Sequence, residues 1–125
     1  MNGIESIAAE RQRQIEVEGW TREHDDAHAD GEMAKAAACY AWAASLDQIV
    51  RDVASVPSGG WEATVIMRRL WPWASEWWKP KDSRSDLVRA GALIAAEIDR
   101  LDRAENARIN AEGWQDAPGR VPDCD

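Results

Sequence analysis

The fold of this chain is decided by residues 82–105, DSRSDLVRAGALIAAEIDRLDRAE. Apolar residues recur there at spacings of three and four, which predicts an amphipathic helix. Pro80 blocks continuation from upstream, and Asp82 or Ser83 can cap the first turn. Glycine at position 91 costs about 1 kcal/mol relative to alanine in mid-helix, so it indicates a close approach by another backbone, an indole ring or a ligand, or simple packing. The repeat consists of Leu87, Gly91, Ile94, Ile98, Leu101 and Glu105.

Two further helices are expected upstream. Ile4, Ile7 and Ile15 follow helical spacing and predict helix one over residues 3–18, with Gly19 ending it in a left-handed conformation. The hexapeptide IEVEGW at this helix end recurs in similar form, as INAEGW, near the C-terminus. We interpret both copies as helix ends at which the tryptophan folds back.

Helix two is predicted over residues 31–54, because its apolar and alanine positions share one helical face. Asp30 can cap its first turn, and the Pro- and Gly-containing run at residues 55–60 ends it. The chain therefore reads as all-α, with a small three-helix core and a Trp-rich irregular insertion between helices two and three. We expect a single α-helical domain over residues 1–114 and a flexible C-terminal tail over residues 115–125.

Many of the apolar residues of this chain are small. Alanine occurs 22 times, leucine five times and phenylalanine not at all. Alanine buries little surface, so the core within one chain should be thin. A second copy often completes a thin helical core, and we therefore expect a homo-oligomer.

The net charge of −8 argues against a nucleic acid polymer or an anionic membrane as the partner, but it leaves room for a small ligand in a local pocket. No stretch approaches the roughly 20 apolar residues of a membrane-spanning helix, and the N-terminus lacks the pattern of a signal peptide. Cys39 and Cys124 form neither a disulfide framework nor a metal-binding pair. These features predict a cytoplasmic protein.

The segment Trp61–Lys81 holds five of the eight tryptophans. Extended to Gly91, it contains six basic and four acidic residues and so carries +2, whereas the remaining chain carries −10. Indole faces stack on nucleobases and cations pair with phosphate, so this mixture suits a nucleotide ligand. The alternative is that the indoles are anchors that hold a long loop onto an alanine-rich core. Both interpretations remain open, and the first rests on Trp73 and Trp78 beside Lys79 and Arg84.

A second cluster lies in the polar run Trp20–Gly31, which is expected to form an ordered or half-ordered loop. His24, Asp25, Asp26 and His28 could coordinate a divalent metal, supply acid–base chemistry or contact ribose hydroxyls. The alternative is a solvated polar loop.

Acidic residues on helices one and three could hold magnesium in the manner of small all-α nucleotide pyrophosphohydrolases, but the paired-glutamate pattern of those enzymes is missing. A solvated face with ion pairs within each helix is the other interpretation. The chain also lacks a glycine-rich phosphate loop and a Gly-x-Ser-x-Gly elbow. We therefore favour binding over catalysis and assign no catalytic residue, metal ligand or cofactor. The acids are Glu10, Glu16, Glu18, Glu97, Asp99 and Asp102.

Several motifs together resemble a widespread family of small phage and prophage proteins, over roughly residues 7–103. They are ERQRQIEVEGWTREHDD at residues 10–26, AAACYA at 36–41, WPW at 71–73, WWKP at 77–80, and DLVRAGAL and EIDRL at 86–93 and 97–101. Small phage proteins of this kind are similar to viral sponges that sequester nucleotide immune signals, including those called Sequestin and Lockin. Those sponges bind cyclic ADP-ribose made by TIR proteins, or related molecules.

This resemblance implies a protein that disarms host defence in the infected bacterium by binding a nucleotide signal without turnover, in an oligomeric pocket. Indoles would stack on adenine, Lys79, Arg84 and Arg89 would meet the diphosphate, and the polar cluster would hold ribose hydroxyls. The alternatives are a metal-dependent nucleotide hydrolase and a protein-binding adaptor. The predicted ligand-binding residues are Arg11, Trp20, His24, Asp25, Asp26, His28, Trp73, Trp78, Lys79, Arg84 and Arg89.

Overall fold

The computed structural model describes residues 1–56, 60–61 and 64–112, and this part of the chain is mostly helical with no strand. A short 3₁₀ turn, Ser75–Trp77, precedes the last and longest helix. The α-helices, in chain order, are α1 (Gly3–Glu16), α2 (Arg22–Asp26), α3 (Glu32–Ala44), α4 (Gln48–Ala54), α5 (Val65–Leu70) and α6 (Ser83–Ala111).

The long helix α6 is the centre of the fold. It packs most extensively against α3, then against α1 and α2, while α5 packs against α3. The buried apolar side chains come mainly from α3 and α6, and six of the thirteen are alanine, which buries little surface. They are Met33, Ala36, Ala37, Cys39, Tyr40, Ala43, Trp61, Met67, Trp78, Ala90, Ala92, Leu93 and Ala96.

Helix α1 begins and ends close to where the sequence predicts. Asn2 and Glu5 form a reciprocal cap, in which the Asn2 side chain accepts from the Glu5 N–H at 2.9 Å and the Glu5 carboxylate accepts from the Asn2 N–H at 3.1 Å. Gly19 adopts the predicted left-handed conformation, with φ of +75°. The Trp20 N–H then folds back and donates to the Gln14 carbonyl at 2.9 Å.

The prediction of one helix over residues 31–54 is wrong, since α3 ends at Ala44 and α4 begins at Gln48. The Ser45 hydroxyl donates to the Trp42 carbonyl at 2.6 Å, and this local bond competes with helix continuation. Asp47 then starts a new helix by accepting from the Val50 N–H at 3.0 Å.

The predicted Asp30 cap is also wrong. The residue that precedes α3 is Gly31, which has φ of +81° and no side chain to cap with. The Asp30 N–H instead donates to the Glu32 carboxylate at 2.6 Å. The segment Trp20–Gly31 is not wholly a loop either, because Thr21 caps the short helix α2 within it.

Helix α6 confirms the helix predicted from the apolar repeat, and Asp82 caps it by accepting from the Ser85 N–H at 2.9 Å. The repeat itself is not the buried face. Leu87, Ile94, Ile98 and Leu101 are about half exposed. The buried face, a third of a turn away, includes the charged residues Asp86, Glu97 and Arg100 together with Ala90 and Leu93.

Gly91 is where α1 approaches α6. A Cβ built on this glycine would lie 2.6 Å from Cδ1 of Ile7, which is too close for any real contact. The reason for the glycine is therefore simple packing, and the neighbour is an aliphatic side chain of α1, not a backbone, an indole ring or a ligand.

A buried ion pair joins α4 to the start of α6. Arg51 contacts the Asp86 carboxylate and the Ala43 carbonyl, and its second Nη donates to the Lys81 carbonyl at 2.8 Å. Asp86 also accepts from the Lys81 N–H at 2.9 Å. Arg51 and Asp86 are almost completely buried, so their charges must compensate each other.

Some predictions fall on residues outside those the structure describes. These are residues 57–59 of the predicted break, the helix end at Gly113 and Trp114, and the tail at residues 115–125. No helix among the described residues is both long enough and apolar enough to cross a membrane.

Candidate functional site

A cavity of about 330 Å³ is formed largely by aromatic rings. This volume is at the lower end of the range typical of small-molecule sites. Helix α3 contributes Tyr40, α6 contributes Leu93, and the others come from the α2 region and the segment after α5. The lining residues are Trp20, His24, His28, Tyr40, Trp71, Trp73, Ala74, Trp77 and Leu93.

Four of these rings contact one another in series along one wall. His24 stacks on Trp20, with centroids 5.5 Å apart and planes only 2° from parallel. His28 lies 4.6 Å from His24 and meets Trp73 edge-on at 5.5 Å. The α2 region and the segment after α5 thus form one ring surface, although they are far apart in the sequence.

Local backbone geometry aims the tryptophans of the segment after α5 in different directions. The Trp71 indole N–H donates to the Ala74 carbonyl at 3.0 Å, which closes a tight turn around Trp73. The 3₁₀ turn then separates two adjacent indoles, because Trp77 is 56% exposed and Trp78 only 8%. Trp77 lines the cavity, whereas Trp78 packs into the core.

The two imidazoles are each fixed through their Nδ1 atom. His24 Nδ1 lies 3.1 Å from the Asp25 carboxylate, and His28 Nδ1 lies 2.8 Å from the His24 carbonyl. The His24 carbonyl can only accept, so His28 Nδ1 carries a hydrogen and donates it. Within the described part of the chain, neither Nε2 atom forms a hydrogen bond, which leaves both able to contact a ligand.

Three of the residues predicted to contact the ligand form ion pairs within the protein instead. Asp25 is completely buried and accepts from Arg11 at 2.7 Å, which joins α1 to α2. Asp26 accepts from Arg103 at 2.7 Å, which joins α2 to α6. None of Arg11, Asp25 and Asp26 lines the cavity, so these residues support the ring wall from behind.

Arg89 and Lys79 lie next to two of the lining rings. The Tyr40 hydroxyl accepts from Arg89 Nη1 at 3.1 Å and from the Lys79 N–H at 3.3 Å, and Arg89 also donates to the Lys79 carbonyl at 2.8 Å. The Arg89 guanidinium lies 4.9 Å from the Tyr40 ring centre, and Lys79 Nζ lies 5.7 Å from that of Trp77. Arg89 therefore holds the chain at residue 79 against α3.

Arg84 is separated from the other predicted cations. Its guanidinium donates to the Ser6 hydroxyl at 2.7 Å and to the Met1 carbonyl at 3.4 Å, at the start of α1. The structure therefore does not bring Lys79, Arg84 and Arg89 together around one phosphate position. None of these three side chains lines the cavity.

Family models, curated proteins and solved structures provide no match to this chain. What the cavity can bind therefore follows from its own side chains.

The part of the chain that the structure describes offers few side chains placed for metal binding or for nucleophilic catalysis. It contains no group of three or more His, Cys, Asp or Glu side chains placed to hold a metal ion. Burial raises the pKa of the Cys39 thiol to about 11, so this cysteine is protonated and unreactive at neutral pH.

Two of the helix acids, Glu10 and Glu97, pair within their own helices as one of the two interpretations predicts, whereas Asp99 and Asp102 form no ion pair among the described residues. Arg13 binds both Glu10 oxygens at 2.7 and 2.9 Å, and Arg100 binds Glu97. Burial raises the pKa of Glu10, but the hydrogen bond and charge of Arg13, with smaller effects of Arg89 and Gln14, hold it below its ordinary value. This carboxylate is therefore ionised and already paired.

Of the predicted site residues, Trp20, His24, His28 and Trp73 line the cavity. The lining residues Tyr40, Trp71, Ala74, Trp77 and Leu93 were not in the predicted set. Trp71 and Trp77 lie in the Trp-rich segment and could have been chosen from it. Tyr40 and Leu93 carry no such signal, since they read as ordinary core positions of their helices.

Proposed function

We propose that this chain binds a small ligand carrying a flat heteroaromatic group and holds it without turnover. The ligand class we infer is a nucleotide-derived immune signal of the cyclic ADP-ribose type, which the protein would sequester from a bacterial anti-phage defence. The observation that supports this proposal most strongly is the ring-lined cavity. The phage context comes from the sequence resemblance.

The cavity suits a nucleobase because most of its wall is aromatic. Stacking of a base on an aromatic side chain contributes about 1–3 kcal/mol and tolerates any base, since every base has a π face. Trp20, Trp73 and Trp77 supply such faces from different elements. At about 330 Å³ the cavity has room for a base and part of its sugar, with any phosphate outside.

Two polar atoms of the lining histidines can orient the base. The Nε2 atoms of His24 and His28 are without protein partners in the described chain. A ligand that can hydrogen-bond to these nitrogens is favoured over an apolar molecule of the same shape.

Lys79 is the cation best placed for a phosphate outside the cavity. It is exposed, and its ammonium lies over Trp77, which is itself the most exposed tryptophan of the lining. Arg89 is engaged with Tyr40, and Arg84 lies at the start of α1. We therefore assign the phosphate contact to Lys79, and we assign Arg84, Arg89, Asp25 and Trp78 to support of the surrounding structure.

A nucleotide hydrolase remains the rival function, and the His24–Asp25 pair is the observation that favours it. A carboxylate that orients an imidazole is typical of a general base. Here the same carboxylate is neutralised by Arg11, and no metal-binding group accompanies it in the described chain. The two functions differ in what happens to the ligand.

A capture-and-release experiment separates the functions. The protein is incubated with cyclic ADP-ribose, its isomers, ADP-ribose and cyclic dinucleotides in turn, washed, and denatured, and the released molecules are identified by mass spectrometry. Intact nucleotide released in proportion to protein is the expected result. A cleaved product would establish the hydrolase, and no retained nucleotide from any class would overturn the proposal.

The variant Trp73→Leu tests whether the cavity is the site. We expect affinity for the captured nucleotide to fall about 5- to 150-fold, which corresponds to the loss of one stacking contact. The matched control is Trp42→Leu, since Trp42 is also partly buried but contacts Trp61 rather than the cavity. Calorimetric titration of both variants provides the measurement, and equal losses in the two would contradict the assignment.

A further inference from the structure

The exposed apolar repeat of α6 forms one continuous surface with α1. Leu87, Ile94, Ile98 and Leu101 are 54%, 49%, 52% and 52% exposed. Ile7 from α1 fills the gap that Gly91 leaves in this repeat. Ile4, one turn earlier on the same face of α1, is 79% exposed. We call this surface the α1/α6 apolar face.

This face groups exposed apolar side chains along one helical repeat instead of scattering them over the surface. Single apolar residues on a surface are ordinary, but a contiguous patch of several hundred Å² marks an interaction site. The buried side of α6 carries Asp86, Glu97 and Arg100. The helix therefore buries charged side chains while several of its largest apolar side chains face solvent. Such an arrangement is expected when a second molecule covers the apolar side.

The spacing of the repeat specifies a helix as the partner. Positions 87, 91, 94, 98 and 101 alternate steps of four and three, which is the 3.5-residue period by which two helices pair along their length. The repeat spans about four turns, close to the length of a typical helix–helix contact.

The charges beside the repeat specify the direction of pairing. Arg84 and Asp102 lie 18 residues apart, which is five full turns, so both stand on the same edge of α6 near opposite ends of the repeat. Both are exposed. Antiparallel pairing about Ile94 brings Arg84 of each copy beside Asp102 of the other. Parallel pairing would instead place like charges at the same level.

We propose that the α1/α6 apolar face binds a second copy of this chain, with the two α6 helices antiparallel across a two-fold axis near Ile94. The axis makes the contact self-complementary, as in most homodimers. The cavity lies against a different face of α6, a third of a turn from the repeat, where Leu93 lines it. Pairing therefore leaves the cavity accessible, and the dimer and the ligand site can be tested independently.

Cysteine cross-linking tests the register. In a Cys39→Ala, Cys124→Ser background, Ile94→Cys should form a disulfide-linked dimer on mild oxidation. Chains that carry only Leu87→Cys, or only Leu101→Cys, should not form a disulfide-linked dimer. A mixture of the two kinds of chain should form one. Ala34→Cys, an exposed site on α3, is the matched control and should not link. Disulfide-linked dimers that form from the Leu87→Cys chain alone and from the Leu101→Cys chain alone would overturn the antiparallel arrangement.

Light scattering on the unmodified chain tests the dimer itself. We expect twice the mass of one chain, and Ile98→Glu should halve this mass while helical circular dichroism is retained, because residue 98 is exposed within one chain. A monomer at every concentration examined would overturn the proposal. So would a dimer that Ile98→Glu leaves intact.

Discussion

Gly91 leaves room on α6 for the side chain of Ile7 from α1. Alanine in a helix is more stable than glycine by about 0.5–1 kcal/mol, but its Cβ would displace Ile7. We therefore predict that Gly91→Ala gives little or no stabilisation in the native chain. In an Ile7→Ala background the same change should stabilise by about 0.5–1 kcal/mol.

Urea unfolding followed by tryptophan fluorescence measures both effects. An equal response to Gly91→Ala in the two backgrounds would show that Ile7 does not occupy the space at Gly91. The sequence indicated that something approaches this position closely. It could not name Ile7, since helix spacing alone does not tell which face of α1 meets α6.

At the scale of elements, the ion pair between Arg51 and Asp86 fixes the short helix α4 to the long helix α6. Asp86→Ala would leave a buried guanidinium without its counter-charge and the Lys81 N–H without its acceptor. We predict a loss of about 3–5 kcal/mol in the free energy of unfolding. Thermal and urea unfolding provide the measurement.

The control for this prediction is Glu105→Ala on the same helix. Glu105 is exposed and pairs with Arg108, also exposed, so its removal should leave stability unchanged within error. If Asp86→Ala were as mild as Glu105→Ala, the buried pair would not be what holds α4 in place.

The elements show where sequence patterns succeed and where they fail. The period of α6 and the cap at Asp82 were predictable because they depend on neighbouring residues alone. The buried face of α6 was not, because it is partly charged and Arg51, the partner of its Asp86, comes from a distant segment. The break after α3 is accompanied by local hydrogen bonds of Ser45 and Asp47, and neither residue within a helical pattern by itself indicates a break.

At the scale of the whole molecule, the sequence predicted part of the candidate site. Trp20, His24, His28 and Trp73 were chosen for their chemistry, and the fold brings these rings to one cavity. The cations were chosen because they lie near the tryptophans in sequence. The fold separates them, with Arg84 at the start of α1 and the other two beside different rings.

The central claim is that the ring-lined cavity is a ligand site. The most direct measurement is a nuclear magnetic resonance titration that follows the indole N–H signals, with Trp73 and Trp42 assigned by single Trp→Phe variants. The titrant is the nucleotide identified in the capture experiment. On its addition, the Trp73 signal should shift and saturate while the Trp42 signal stays in place. An unchanged Trp73 signal, or a shift confined to Trp42, would contradict the claim.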